Sequence, residues 1–318
     1  MTKITILSRI DDATIEQLKS ENDVVCEFDP SQESIIKLVG DCEILIFRSG
    51  IQIDAEILES ARCLSLIIRA GSGTDNIDLA STRSLGIRVV TIPEPGATAV
   101  AEMSFALMLA LARNLHVADS LLRKGRWAKN ELAGHGFVGK TLGIVGAGNI
   151  GTVVGRMGAA WGMRVLGCVE KSSEDERLRL AASDIEMAEL DEVLCSADYV
   201  SLHVPLNKAT RGLIDAQALG LMKPDSFLVN LSRGGVVDEN ALKAALTAGR
   251  LAGAALDVHA KEGVDFESPL SNLPNVILTP HIGASTRSAQ KQIGKRVLEL
   301  VSEHIMDQSK EHRRRTAT

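Results

Sequence analysis

The chain has five cysteines, Cys26, Cys42, Cys63, Cys168 and Cys195. Their number is odd, none forms a C-x-x-C pair, and none sits in a cluster at metal-ligand spacing. That argues against a disulfide framework and against a bound metal, and it implies reduced thiols in a cytoplasmic protein. The N-terminal stretch MTKITILSRIDD has no long apolar core, so no signal peptide is expected. Long apolar runs are also missing. The longest, Ala99–Ala112, is interrupted by Glu102 and is expected to be too short to span a bilayer. It reads as a buried or interface helix, with no membrane partner. A basic excess is lacking too: the net charge is −6, which argues against a nucleic-acid partner and for solubility. The run Arg313–Arg315 lies in a polar tail and reads as a frayed terminus. There is no G-x-S-x-G elbow and no H-E-x-x-H, so serine-hydrolase and zinc-hydrolase readings are poor.

What is present is an ordinary globular balance. The chain has 318 residues, of which 45% are hydrophobic and 24% charged, enough to bury a core. The length suits about two domains. Residues 1–95 alternate strand and helix signals. Strands are expected at Ile4–Leu7, Val24–Phe28, Glu43–Phe47, Leu66–Arg69 and Arg88–Thr91, with helices at Asp12–Ser20, Ser31–Val39, Ala55–Ala61 and Asp78–Leu85. Alternating β and α implies a parallel sheet covered by helices. Pro93-Glu94-Pro95-Gly96 reads as a linker before a long Ala97–Ala112 helix.

The stretch Val138–Trp161 carries the strongest local signal. A buried-strand pattern, Thr141–Val145, runs into Gly146-Ala147-Gly148-Asn149-Ile150-Gly151, and apolar residues then recur at helical spacing. In such a strand–turn–helix, Gly146 permits the tight turn. Gly148 lets a pyrophosphate approach the backbone, and Gly151 lets the helix pack on the strand. The helix N-terminus offers free N–H groups to phosphates. Beyond it the rhythm resumes, with strands at Arg164–Val169, Tyr199–Leu202, Ser226–Asn230, Gly253–Leu256 and Val276–Leu278. Helices are expected at Glu174–Ala182, Leu190–Cys195, Ala216–Met222 and Asn240–Ala248. A final helix, roughly Ser285–His304, is long enough to pack back on the N-terminal part.

The expected architecture is therefore α/β with two doubly wound parallel-sheet domains. One is a discontinuous, flavodoxin-like substrate domain built from 1–95 plus 285–318. The other is a Rossmann-type dinucleotide-binding domain, 96–284. A cleft between them would take a small substrate. Three segments at expected strand ends carry reactive side chains: Asn230–Gly235, Asp257–Glu262 and Thr279–Ala284. A lone strand-end Arg, His or Glu is ordinarily structural or solvated. Three such segments in a domain that also carries a dinucleotide motif shift those odds.

Taken together, RAGSGTDNID from Arg69 to Asp78, the glycine turn, NLSRGGVVDE from Asn230 to Glu239 and TPHIGASTRSAQ from Thr279 to Gln290 resemble the D-isomer-specific 2-hydroxyacid dehydrogenase family. Within that family the chain is most similar to the 3-phosphoglycerate dehydrogenases, which would place it in serine biosynthesis. The resemblance implies a catalytic trio of Arg233, Glu262 and His281. An imidazole, with an ordinary pKa of about 6.5, can take a proton from the C2 hydroxyl near neutral pH. Glu262 would hold the other ring nitrogen. Arg233 would offer a donor fork to the carboxylate and C2 oxygen. The implied cofactor contacts are Gly146, Gly148, Asn149, Ile150, Gly151, Glu170, Val204, Pro205, Leu231, Ser232, Asp257, Gly283 and Ala284. Asp257 is the expected partner of the nicotinamide carboxamide.

The chain departs from the family in places. Cys168-Val169 stand where a Tyr-Asp pair usually ends the second strand, and Glu170 follows one residue late. Glu170 can accept from a ribose 2′-hydroxyl, which favours NAD. Lys171, Ser172 and Ser173 could hold a 2′-phosphate, which leaves NADP open. Gly263 stands where proline commonly follows the glutamate, and the Pro95–Val100 stretch lacks the usual Asn-Thr/Ser. On the substrate side, Arg48, Ser49, Arg69, Ser72 and Gly73 are expected near the strand ends, an arginine pair suiting a distal phosphate or similar anion. The leading expectation is a short-type 3-phosphoglycerate dehydrogenase without a C-terminal regulatory domain, acting as a homodimer. A glyoxylate/hydroxypyruvate-type reductase is the alternative enzyme. A dinucleotide-sensing, corepressor-like binding protein is the alternative from another class.

Overall fold

The computed structural model describes residues 1–316 except 29 and 264. The chain divides into two compact units, Met1–Gly96 with Ser285–Thr318, and Ala97–Ala284. In the first unit, strands β1 (Lys3–Ile6), β2 (Asp23–Cys26), β3 (Ile44–Phe47), β4 (Leu66–Arg69) and β5 (Arg88–Thr91) alternate with helices α1 (Asp12–Glu21), α2 (Gln32–Leu38), α3 (Ala55–Ser60) and α4 (Leu79–Ser84). All strands are parallel, in the order β2-β1-β3-β4-β5, the doubly wound flavodoxin-like order. The central strands are apolar without a break because both faces are covered. Ile4, Ile6, Ile44, Ile46, Leu66 and Ile68 face one core, and Leu45, Phe47 and Ile67 face the other.

α5 (Glu94–Ala112) begins in the last residues before the division and continues into the second unit, where it and α6 (Leu115–Arg123) precede β6 (Thr141–Val145), α7 (Asn149–Ala160), β7 (Arg164–Cys168) and α8 (Glu174–Ala181). Then come β8 (Glu186–Met187), α9 (Leu190–Ser196), β9 (Tyr199–Leu202), α10 (Ala216–Leu221) and β10 (Phe227–Asn230). A single 3-10 turn, Gly234–Val236, leads to α11 (Glu239–Thr247), β11 (Gly253–Leu256) and β12 (Val276–Leu278). The seven-stranded sheet runs β12-β11-β10-β9-β6-β7-β8, all parallel. Chain order reverses between β6 and β9. In an open α/β sheet that switch point, at the strand C-termini, is where ligands bind.

Four expectations need correction. Pro93–Gly96 lies where the chain passes from one unit to the other, but it is not irregular: α5 already begins at Glu94, and Pro95 is tolerated because first-turn N–H groups have no helical partner. That extra turn makes Pro95–Ala112 an 18-residue window long and apolar enough to cross a membrane by length and composition, where the shorter stretch was expected to fall short. In this fold 56% of the window is buried, with Ala101, Phe105, Met108 and Leu111 in a core cluster. The last helix, α12, starts at Arg287 and runs to Thr316, beyond the expected end at His304. The backbone of Arg313–Arg315 is consequently helical rather than frayed.

Candidate functional site

The glycine turn leaves the end of β6 at the switch point. Gly146 has φ +95°, a left-handed conformation, and a Cβ there would lie 2.6 Å from the His203 carbonyl oxygen and 2.7 Å from Val204. A Cβ on Gly151 would meet the Gly146 carbonyl oxygen at 2.3 Å. Gly148 is different: a Cβ there would meet nothing within 4 Å. The space outside it is open, and Asn149 beside it is exposed. Gly148 is the N-cap of α7 and supplies no side-chain hydrogen bond, whereas Ser173 caps the next helix, α8. The turn is closed from within by the Cys168 carbonyl, which accepts from the N–H groups of Gly146 (3.1 Å) and Ala147 (3.0 Å). This is a cradle with room on the outside and uncapped N–H groups at its floor, which fits a dinucleotide diphosphate.

Glu170 is exposed in the bend just beyond β7. Of the residues that could serve a 2′-phosphate, Ser172 donates to Glu189 (3.3 Å) and Ser173 accepts from the Glu176 N–H (3.2 Å). The Ser172 proton is thus engaged, whereas the Ser173 hydroxyl keeps its proton to donate, and Lys171 beside them is exposed. Among the other expected cofactor residues, Ile150 and Ala284 pack partly buried against the core, Leu231 is buried, and the Pro205 carbonyl accepts from Thr210 (2.5 Å).

The three reactive segments leave neighbouring strands, β10, β11 and β12. Asn230, fully buried at the end of β10, shapes the first. Its side-chain Oδ1 accepts from the Ser232 N–H (3.0 Å) and hydroxyl (2.7 Å), and its Nδ2 donates to the Arg233 carbonyl (2.9 Å). Arg233 is half-buried, and its guanidinium donates to the Ser232 carbonyl (2.7 Å). The next residue has to be glycine: a Cβ on Gly234 would lie 1.9 Å from the His259 carbonyl. The β10 and β11 loops therefore touch backbone to backbone. Glu239, buried at the start of α11, secures the second loop by accepting from the Ala260 N–H (2.6 Å).

Asp257 is 1% exposed and organises the third loop. Its carboxylate accepts from the Thr279 hydroxyl (2.6 Å) and from the N–H groups of Ile282 (2.9 Å) and Gly283 (2.7 Å). Its carbonyl accepts from the His281 N–H (2.7 Å). His281 is thereby held at φ +54°, a conformation non-glycine residues rarely adopt. Its Nδ1 meets Glu262 Oε2 at 2.9 Å, and Glu262 Oε1 accepts from the His259 N–H (3.2 Å). Burial pushes the Glu262 carboxyl upward. The His281 hydrogen bond and charge, with the His259 N–H, outweigh this and hold it below its ordinary value. Nδ1 therefore donates to a carboxylate, which leaves Nε2 as the ring's proton acceptor. The structure joins Glu262 to His281 and packs the Arg233 loop against the Glu262 loop. Sequence reasoning missed Asn230 and Glu239 as the residues that shape these loops, although both lie inside the Asn230–Glu239 motif.

In the first unit, Arg69 ends β4, and Arg48, Ser49, Ser72 and Gly73 follow the C-terminal ends of the adjacent strands β3 and β4. The Arg48 N–H donates to Ser8 (3.0 Å), just after β1, and burial lowers the pKa of its guanidinium. Arg69 is 6% exposed, and its guanidinium folds over Gly71, where a Cβ would sit 1.9 Å from Nη1.

Residues 105–283 match the family described as D-isomer specific 2-hydroxyacid dehydrogenase, NAD binding domain. The chain is 37% identical over 301 residues to D-3-phosphoglycerate dehydrogenase 2, chloroplastic, of Arabidopsis thaliana, covering 94% of this chain and 48% of that protein. It spans about half the length of most of the curated relatives it matches. It is 36% identical over 276 residues to hydroxypyruvate reductase of Thermotoga maritima, covering 86% of this chain and 88% of that protein. The structure of D-lactate dehydrogenase from Aquifex aeolicus, complexed with NAD and lactic acid, superposes with a TM-score of 0.86 at 27% identity, covering 96% of each chain. Family pattern, relatives, fold and strand-end loops agree, and the chain belongs to the D-isomer-specific 2-hydroxyacid dehydrogenase family.

Proposed function

We propose that this protein oxidises or forms a D-2-hydroxy acid with NAD as redox partner, and that its substrate is 3-phosphoglycerate. The observation that carries the reaction class is the 2.9 Å contact of His281 Nδ1 with Glu262, on the loops beside Arg233. Nε2 of His281 takes the proton of the C2 hydroxyl in oxidation and returns it in reduction. Glu262 fixes the ring and stabilises its charged form. Arg233 donates to the substrate carboxylate and C2 oxygen, where negative charge gathers during reduction. The glycine turn with Gly148 and Asn149 holds the diphosphate, and the bound nicotinamide supplies the hydride chemistry. Glu170 accepts from the adenosine ribose. A carboxylate at that position disfavours a 2′-phosphate, which supports NAD over NADP; exposed Lys171 and the Ser173 hydroxyl are the groups that could hold one.

Arg48 and Arg69 supply the anion side. A guanidinium whose pKa is depressed by burial gains when an anion neutralises it, so Arg48 suits a distal phosphate. A second reading, hydroxypyruvate reduction, is supported by the Thermotoga maritima relative, most of whose length this chain covers. Leu115, Leu122 and Trp127 are exposed apolar side chains on and after α6. They suit a second copy of the chain, and a homodimer completes the proposal; light scattering of the purified protein reads it.

The test is an assay of reduced-nicotinamide absorbance with NAD and NADP against 3-phosphoglycerate, hydroxypyruvate, glyoxylate and lactate. Turnover of none, with NAD binding intact, would favour a dinucleotide-sensing protein. In Arg48→Ala, kcat/KM for 3-phosphoglycerate is expected to fall roughly ten- to a hundredfold, the worth of one charge-assisted hydrogen bond. Glyoxylate, which has no distal group, is expected to be unaffected. Equal losses on both would mean that Arg48 serves the fold.

A further inference from the structure

The glycine turn has a feature that its own sequence does not announce. A turn that presents N–H groups to an anion must also put its carbonyls somewhere, and a carbonyl oxygen near a diphosphate has the wrong sign. The carbonyl of Ala147, between Gly146 and Gly148, is met from α8. Arg179 Nη2 donates to it at 2.7 Å. Arg179 Nη1 donates to the hydroxyl of Thr152, in the first turn of α7, at 3.0 Å. The Thr152 hydroxyl itself donates to the Ala147 carbonyl at 3.3 Å. One guanidinium therefore clamps the glycine turn and the start of the phosphate-facing helix together.

The clamp is itself held in place. Glu176, one turn earlier on α8, takes Arg179 Nε at 3.0 Å and Nη2 at 2.6 Å. Arg179 lowers the Glu176 pKa through that hydrogen bond and then through its charge. Ser173 caps α8 and fixes its first turn. The neighbouring Arg177 pairs instead with Glu174, at 2.5 Å. Of the arginines on α8, Arg179 is thus the one aimed at the cofactor cradle.

We infer that Arg179 is a positioning residue of the dinucleotide site: it cancels the misdirected Ala147 carbonyl, fixes the glycine turn, and places a positive charge behind the diphosphate. This rests on the dinucleotide reading of the turn. It adds a determinant that lies some thirty residues outside the G-x-G-x-x-G motif and belongs to a different helix. Its ligand chemistry is the diphosphate, so ADP is a sufficient probe, with adenosine as the uncharged control.

The experiment measures binding of ADP, adenosine and NAD by calorimetry to wild type, Arg179→Ala, Arg179→Gln and Arg179→Lys, with melting temperatures of each. Arg179→Ala is expected to weaken ADP and NAD about tenfold and adenosine less than twofold. Arg179→Lys, which keeps the charge, is expected to stay within about threefold of wild type. Arg179→Gln, which keeps a donor without charge, should fall with alanine at low salt and approach wild type at high salt, because screening removes the charge term. Unchanged ADP affinity in Arg179→Ala overturns the inference. So does an equal loss on adenosine and ADP, which would make Arg179 a support for pocket shape. A wild-type protein that binds neither ADP nor NAD instead overturns the dinucleotide reading itself.

Discussion

Glu262 shows how a single contact sets the acid–base behaviour of the site. Its carboxyl is held below its ordinary value despite burial, so it is ionised throughout the neutral range. A carboxylate with a lowered folded pKa contributes stability above its unfolded value, and that contribution is lost as pH falls through the lowered folded value. Near neutral pH, then, Glu262 is a standing negative charge against His281 Nδ1. Glu262→Gln removes the charge while keeping the shape, and the protonated imidazole loses its partner. The acid limb of the oxidation profile should move to lower pH, with kcat reduced, as read from rate against pH in both proteins. An unmoved limb would mean that the contact does not govern the base. His281→Ala should cost roughly 10²–10⁴-fold in turnover while ADP affinity is retained.

At the scale of elements, the legible parts were those whose signal is local. The β–α rhythm, the glycine turn and the strand ends carrying Arg233, Glu262 and His281 all declare themselves within a few residues. The illegible parts have distant causes. β8 has only two residues, too few to show a period, and exists because it pairs with Leu166 and Gly167 of β7. α6 is not among the expected helices although Leu115, Ala118, Leu121 and Leu122 recur at helical spacing: none of its residues is buried, so its apolar side fills no core of this chain. Asp257 is expected as a cofactor contact; that its carboxylate also accepts from groups 22 to 26 residues later is a role no spacing reveals. Gly234 belongs to the same class. Its necessity comes from the His259 backbone, so Gly234→Ala must push the Arg233 loop off the β11 loop. A misplacement of about 1 Å near reacting groups can cost roughly a hundredfold, and that loss in kcat is expected with ADP binding intact. Gly235→Ala is the control: the nearest atoms to its Cβ would be the ends of the Leu206 and Arg211 side chains, at 3.3 and 3.4 Å, and activity should stay within a few-fold of wild type. Equal losses in both would remove the argument from backbone contact.

At the scale of the whole molecule, the two units differ in how the chain builds them. Ala97–Ala284 is continuous, and its two core clusters draw only on its own residues. The other unit is assembled from both ends of the chain. Its sheet buries Ile4, Ile6, Ile44, Ile46, Leu66 and Ile68 against a cluster that includes Ile293, Val297, Leu300 and Val301 of α12, each at most 3% exposed. Such side chains contribute roughly 1.5–3 kcal/mol each on burial. Those on α12 together contribute roughly 6–12 kcal/mol, comparable with the whole stability of an ordinary domain at about 5–15 kcal/mol. Deleting residues 285–318 should therefore unfold Met1–Gly96 while leaving the continuous unit folded. The expected calorimetric result is loss of one of two melting transitions. A fragment spanning 97–284 should melt cooperatively and bind ADP within about threefold of the full chain, since the glycine turn, Thr152 and Arg179 are all inside it. Were the fragment unable to fold, or the truncated chain to keep both transitions, the two units would not be the independent cooperative bodies that their separate cores imply.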